Sequence, residues 1–263
     1  MKTLLLAMLA ALAVAPPATA QDRITLGFGR IFTNDALGDG QDRWRTGSYQ
    51  VSWLRGPDWT GSLPGTAGQI IEYRFRGEIV APSNLRDPDP ADRRYAGMVS
   101  LGIHTHFDWA GYETRLGFDL VGVGPSTGMG SFHRSMHELF SMPSPAGALD
   151  TQLGNAIRPT VSAEIGRSFD LGGTTARPFV EAQAGVESLL RLGGDLTFGR
   201  FGEGGLMLRD VTSGQRVDGI RGADGTGLTF TLGGDVAHVL ESHLLPDGGA
   251  AELRDTRSRL RAG

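Results

Sequence analysis

The sequence has no cysteine in 263 residues. That excludes disulfide scaffolds, cysteine-ligated zinc, iron–sulfur clusters and thiol nucleophiles. It leaves the compartment open, because exported proteins also lack cysteine. Lysine is nearly missing too: Lys2 stands alone against 24 arginines. That imbalance reads as codon bias and carries no function. The formal net charge is −4, so the basic surface of a general nucleic-acid binder is not there. After the first 20 residues no run of 18 apolar residues occurs, which excludes a transmembrane helix in the mature chain. Familiar catalytic signatures are absent: no G-x-S-x-G, no P-loop, no H-E-x-x-H. No repeat of 20–50 residues marks a solenoid or propeller.

What is there begins with an export signal. Lys2 supplies a positive start, Leu4 to Val14 an apolar core, and Ala18-Thr19-Ala20 an A-x-A cleavage site before Gln21. The expected organisation is a signal peptide over 1–20 and one β-barrel domain over 21–263.

Beyond the signal, hydrophobicity alternates with period two. From Tyr95 to Asp108 the odd positions run Tyr95, Gly97, Val99, Leu101, Ile103, Thr105, Phe107. The even positions are small or polar, with His104 and His106 among them. Similar alternation marks 45–54, 112–120, 158–169, 178–186 and 226–236. Weaker strands are read over 24–32, 70–76 and 192–200. Most of these candidates are long. A tilted strand crosses a bilayer in about 9–11 residues, whereas soluble strands are usually about 5–6. Arg74, Arg76, Glu113, Arg115, Glu164, Glu181 and Asp235 fall on the polar faces. A charged lumen inside an apolar outer band is what a closed membrane barrel requires. The expected fold is all-β: a transmembrane antiparallel β-barrel of about 10–12 strands with one short helix inserted. Alternation alone also allows a soluble periplasmic barrel, with the apolar face turned inward. Gly193-Gly194 lies in a strand-like segment and is read as permitting bending or close packing.

Two stretches break the pattern. Residues 81–94 are rich in Pro and Asp and form a loop. Residues 131–140 read as a helix capped by Ser131, with Phe132, Met136, Leu139 and Phe140 as its apolar stripe and Pro143 and Pro145 ending it. His133 and His137 are one turn apart on that helix, beside Glu138. They serve either as solvated surface residues or as a general base, the role imidazole suits near neutral pH. Asn34-Asp35 after the first strand is either a turn or part of a hard-oxygen calcium site. A shared role for the two needs a bend or bulge there. His104 and His106 are rival lumen histidines.

Several segments in order resemble the lipid A 3′-O-deacylase family of Gram-negative outer membranes. They are Phe32-Thr33-Asn34-Asp35, Asp42-Arg43-Trp44-Arg45-Thr46-Gly47, Ala81-Pro82-Ser83 and Asp92-Arg93-Arg94-Tyr95-Ala96-Gly97. Val121-Gly122-Val123-Gly124-Pro125, Phe132-His133-Arg134 and Leu149-Asp150-Thr151-Gln152-Leu153-Gly154-Asn155 complete the set. The resemblance covers about residues 30–155. It implies a barrel of about twelve strands with the active site inside, near the outer rim. It also implies calcium-dependent hydrolysis of the 3′-linked acyloxyacyl chain of lipid A, with lipopolysaccharide and outer-membrane lipid as partners. Matched position by position, it gives His133 as catalytic base, Asn34 and Thr46 as site residues that orient substrate, water or metal, and Asp35 as a calcium ligand. The family's acid lies six residues after the histidine. Here that place is Leu139, and Glu138 precedes it, so Glu138 is the candidate second calcium ligand. The chain ends at Arg261-Ala262-Gly263 without the aromatic strand end usual in such barrels. That leaves a missing last strand pair or a shortened member. The alternatives in function are a non-catalytic pore or structural barrel that keeps the family frame, and a soluble periplasmic binding barrel.

Overall fold

A computed structural model describes residues 23–34, 44–199, 204–222, 229–245 and 256–262. The expected signal peptide, residues 1–20, lies outside them, and so does Asp35. Ten strands form one antiparallel path: β1 (Ile24–Asn34), β2 (Trp44–Gly56), β3 (Ile70–Ala81), β4 (Ala96–Trp109), β5 (Tyr112–Val123), β6 (Ala156–Gly166), β8 (Thr174–Ala184), β9 (Glu187–Phe198), β12 (Phe230–Ser242) and β13 (Thr256–Ala262). The two-residue β7 (Phe169–Asp170) pairs with β8, while β10 (Leu206–Arg209) and β11 (Arg216–Ile220) form a separate hairpin. The sheet curls through a half-barrel. Ion pairing of Arg45 on β2 with Glu187 on β9 spans the hollow. No β13–β1 ladder occurs among the described residues, so the closed ring expected from sequence is not completed there.

Residue alternation assigns the two faces. Ser48, Gln50 and Ser52 on β2, and Ser100, His104 and His106 on β4, are buried and point inward. Tyr49, Trp53, Phe75, Leu101 and Ile103 point outward and are exposed. Polar-in, apolar-out is the membrane-barrel arrangement, opposite to a soluble sandwich.

The hollow is full. At one end Val80, Ala96, Met98, Val121, Val123, Val186 and Leu244 make an apolar plug. At the other, the β10–β11 hairpin lies inside the wall, and Leu206, Leu208 and Ile220 pack on Leu54 and Ile70. Gly27 and Gly29 leave room for it: a Cβ on Gly27 would stand 2.0 Å from the Gly219 carbonyl oxygen. Between the plugs, arginines and carboxylates pair. Arg209 reaches Glu164 at 3.0 Å and Asp195 at 2.8 Å, and Arg177 reaches Glu164 at 2.8 Å. Buried charge is tolerable only when paired in this way. Gly193 does serve close packing, since a Cβ there would sit 2.6 Å from the Phe179 ring.

Two features escaped the sequence reading. The hairpin has no long alternating run of its own. β13 is seven residues of mixed character. The strand expected over 226–236 is present from Phe230 and runs on to Ser242, with 226–228 outside the described residues.

Candidate active site on the outer face of the wall

The wall carries a second core on its outside. Ile79, Ala81 and Tyr95 have outward parity, and they pack with Ala148, Leu149, Leu85 and Met129. These residues come from helix α1 (Met129–Leu139), helix α2 (Ala146–Asp150) and the loop of residues 82–95. Outward-pointing Gly77 and Gly97 form the seat of α1: Met129 lies within contact distance of the Cβ position of each. Helix α1 therefore rests against the exterior of β3 and β4. The site around His133 is outside the barrel, which corrects the expectation of a site within it. The lumen could not hold it, because its rim end is occupied by the apolar plug.

Local sequence explains how the helix is held. It begins two residues earlier than expected, at Met129, behind Gly128 at φ 75°, and Ser131 provides no cap. Thr127 Oγ1 instead accepts from the Met129 N–H at 3.3 Å. The helix closes with Ser141 at φ 54°. The Met142 N–H donates to the His137 carbonyl at 2.8 Å and the Ser141 N–H to that of Glu138 at 3.2 Å. That is the Schellman pair of bonds, completed before Pro143 is reached. His137 Nδ1 donates to the Pro143 carbonyl oxygen and ties the following turn back to the helix. Behind α1, Gly130 packs closely: a Cβ there would come 2.8 Å from Leu149 Cδ2, which would have to shift.

The face that α1 presents to the wall is not its apolar stripe. Gly130, His133 and His137 are its buried residues, whereas Phe132, Leu139 and Phe140 are exposed. This corrects the expected stripe. The wall here is the Tyr95 ring beside two glycines, a hollow that accepts flat imidazoles. His133 stacks on Tyr95 with centroids 5.7 Å apart and planes at 18°. His137 meets His133 edge-on at 4.3 Å.

The loop before Tyr95 is tied as well. The Ser83 N–H and hydroxyl both donate to Asp92 at 2.7 Å. Burial alone would raise the Asp92 pKa, but these bonds outweigh it and hold it below the ordinary value. Arg94 donates to the Thr151 carbonyl at 2.8 Å, and the Leu153 N–H to that of Tyr95 at 2.8 Å. The 92–97 and 149–155 segments are thus stitched together beside His133.

The remaining candidates are placed as follows. Asn34 ends β1 on the outer face, level with Gly47, Ile79 and Gly97 across the next three strands. At about 4.8 Å per strand, it stands roughly 14 Å along this row from the seat of α1. Thr46 is buried in a β-bulge, where the pairing skips from Arg45–Val80 to Gly47–Ile79. The bend or bulge that a shared role for Asn34 and Asp35 needs would fall at 34–35, and Asp35 lies outside the described residues. Glu138 is exposed. At about 100° per residue it lies about 140° around α1 from His133, so the structure does not bring the two together. Among the described residues no three His, Asp or Glu side chains form a metal site. The rival histidines are internal: His106 Nε2 is 2.8 Å from Glu72, and His104 Nε2 is 3.3 Å from Asp119. Sequence reasoning missed Tyr95 as a site residue. Its odd-numbered parity within 95–108, shared with outward Leu101 and Ile103, was the available signal.

No curated protein sequence matches the chain. The chain is similar in structure to LpxR from Salmonella typhimurium, with a TM-score of 0.70 and 17% identity, over 90% of this chain and 87% of that one. The profile of the family described as "Outer membrane protein LpxR" matches residues 4–246. This coverage and the outward apolar face agree: the chain belongs to the LpxR family of outer-membrane barrels, the lipid A 3′-O-deacylase family that its rim segments resemble.

Proposed function

We propose that this protein hydrolyses the ester of the 3′-linked acyloxyacyl chain of lipid A, with His133 as general base. The observation that carries the reading is a buried histidine on the lipid-facing side of a filled barrel. A lipid in the outer leaflet reaches that face by lateral diffusion, without leaving the bilayer. A water held by the His133 imidazole loses its proton to the ring as it attacks the ester carbonyl. The tetrahedral intermediate then collapses with cleavage of the bond to the sugar oxygen, which takes the proton from the imidazolium and leaves as the hydroxyl. The Tyr95 stack and the His137 edge contact fix the ring plane, so the base is presented in one orientation. Asn34 and Thr46, on the same upper wall, are assigned to positioning the substrate.

Calcium is the metal the resemblance implies. Among the described residues Glu138 turns away from His133, and the other candidate ligand, Asp35, lies outside them. No step is therefore routed through the ion. The filled lumen argues against the pore reading, and the outward apolar side chains argue against a soluble binding barrel. One observation favours an inert barrel that kept the frame: Leu139, 72% exposed, stands where the family has its acid.

The test is the lipid A mass spectrum of cells making the protein. Wild type should remove the 3′ acyloxyacyl mass. His133→Ala should lower the rate by at least about 10²-fold, the low end for a lost general base, while the barrel still folds. A folded His133→Ala protein with wild-type deacylation would end the proposed mechanism. Wild type without deacylation would favour the inert barrel.

A further inference from the structure

Helix α1 has three sectors, not two. At about 100° per residue, His133, His137 and Gly130 share the wall side. Phe132 and Leu139 lie about 100–120° to one side of His133, and Arg134 and Glu138 about 100–140° to the other. Phe132 is 53% and Leu139 72% exposed, with Met136 half-buried beside them. Nothing among the described residues covers this apolar flank. Because the helix is seated on the outside of the wall, its flanks face whatever surrounds the barrel. Just along the same strands, outward Phe75, Leu101 and Ile103 are exposed at 42%, 63% and 54%. These form the outer band that a membrane barrel gives to lipid.

We propose that the Phe132–Met136–Leu139 flank of α1 is a lipid-contacting surface, inserted among the acyl chains of the outer leaflet and continuous with the barrel's apolar band. Arg134 and Glu138, on the opposite flank, face water. The helix then lies at the boundary of hydrocarbon and headgroups, as amphipathic interfacial helices do, with its apolar side about 5–10 Å deep. The charge pattern fits only this occupant. A protein partner would leave the sharp split between apolar and charged flanks unexplained, whereas a bilayer surface supplies both environments at once. The inference rests on membership in an outer-membrane family and not on the deacylase reading. It places His133 between the two flanks, at the level of the interface, and it gives Leu139 a role that an acid could not fill.

The absence of native cysteine makes the test direct. Phe132→Cys, Leu139→Cys, Arg134→Cys and Glu138→Cys are each spin-labelled in the full chain in phosphatidylethanolamine–phosphatidylglycerol proteoliposomes. Accessibility to oxygen and to a water-soluble nickel chelate is then measured. Labels at 132 and 139 should favour oxygen and report a depth of about 5–10 Å, and labels at 134 and 138 should favour nickel. Nickel-accessible labels at 139 and 132 would overturn the proposal. So would labels shielded from both reagents, since a protein would then cover the flank. None of these readouts depends on catalysis, so an inactive enzyme leaves the result interpretable.

Discussion

Gly97→Ala is the most informative single change, because it acts on the seat of α1 and touches no group in the reaction. A Cβ at Gly97 would stand 2.7 Å from Met129 Cβ and 3.1 Å from Thr127 Oγ1. Ordinary contact begins at 3.4 Å, so the helix must retreat by roughly 0.7 Å. Met129 Cβ is fixed to the helix backbone and cannot swing aside, so the displacement passes to His133 one turn on. A shift of about 1 Å in a catalytic group costs about 10²-fold in rate. The expected loss is therefore between about tenfold and 10²-fold, with barrel stability unaltered. Gly77→Ala is the control. Its Cβ would meet the same Met129, but at 3.4 Å and at the flexible Sδ and Cε end, so its activity should stay near wild type. The assay is deacylation of lipid A in mixed micelles followed by mass spectrometry, with heat-modifiable gel mobility reporting the folded barrel. Wild-type activity in Gly97→Ala, or equal losses in both variants, would refute the external seat as the determinant of the site.

Further outcomes are expected. His104→Ala and His106→Ala should keep deacylation close to wild type, because both imidazoles are enclosed on the inner face with Asp119 and Glu72. Glu138→Ala should change neither the rate nor any response to a calcium chelator, since that carboxylate lies on the far side of α1; a lost calcium response would place it at the site. Glu164→Ala removes a carboxylate shared by Arg177, Arg209 and Arg115. It should cost about 3–5 kcal/mol, as for a broken buried pair, measured as a lower urea midpoint in detergent. The Ser83–Asp92 tie depends on a carboxylate whose pKa is depressed, so it is present above the ordinary carboxylate pKa and lost as pH falls through the folded value. Asp92→Asn should therefore loosen the 82–95 loop at neutral pH, read as faster proteolysis there, and match wild type in strong acid. In planar bilayers the purified protein should show no steady single-channel current, because the lumen is packed at both ends.

Much of the fold was legible in period two, since an alternating strand declares both its existence and its faces. Tyr49, Val51 and Trp53 opposing Ser48, Gln50 and Ser52 place β2 correctly before any contact is known. The interior hairpin was not legible. Residues 206–220 bury Leu206 and Leu208 against other strands and Arg209 against Glu164, so short-range pattern carries neither a lipid face nor a lumen face. The apolar residues of α1 were visible, but their direction was not. A 3.6-residue stripe says that one side is apolar and leaves open whether protein or lipid covers it. The rim segments that carried the family resemblance converge for a physical reason: residues 81–83, 92–97, 124–125 and 149–155 are pieces that build the shelf under α1. What the sequence could not supply was that the shelf stands outside the wall.

The hairpin also constrains the order of assembly. It presses on β1 from inside, joining Gly27 to Gly219 across most of the chain. Such a distant contact raises the contact order and slows folding. Its position in the chain, between β9 and β12, resolves the difficulty. In chain order the hairpin follows eight wall strands and precedes the last two. An open sheet can receive it from the side, and β12 and β13 then extend the wall past it. Were the same residues placed after β13, they would have to thread into a nearly finished cylinder. Chain order here acts as an assembly instruction: the filling precedes the lid.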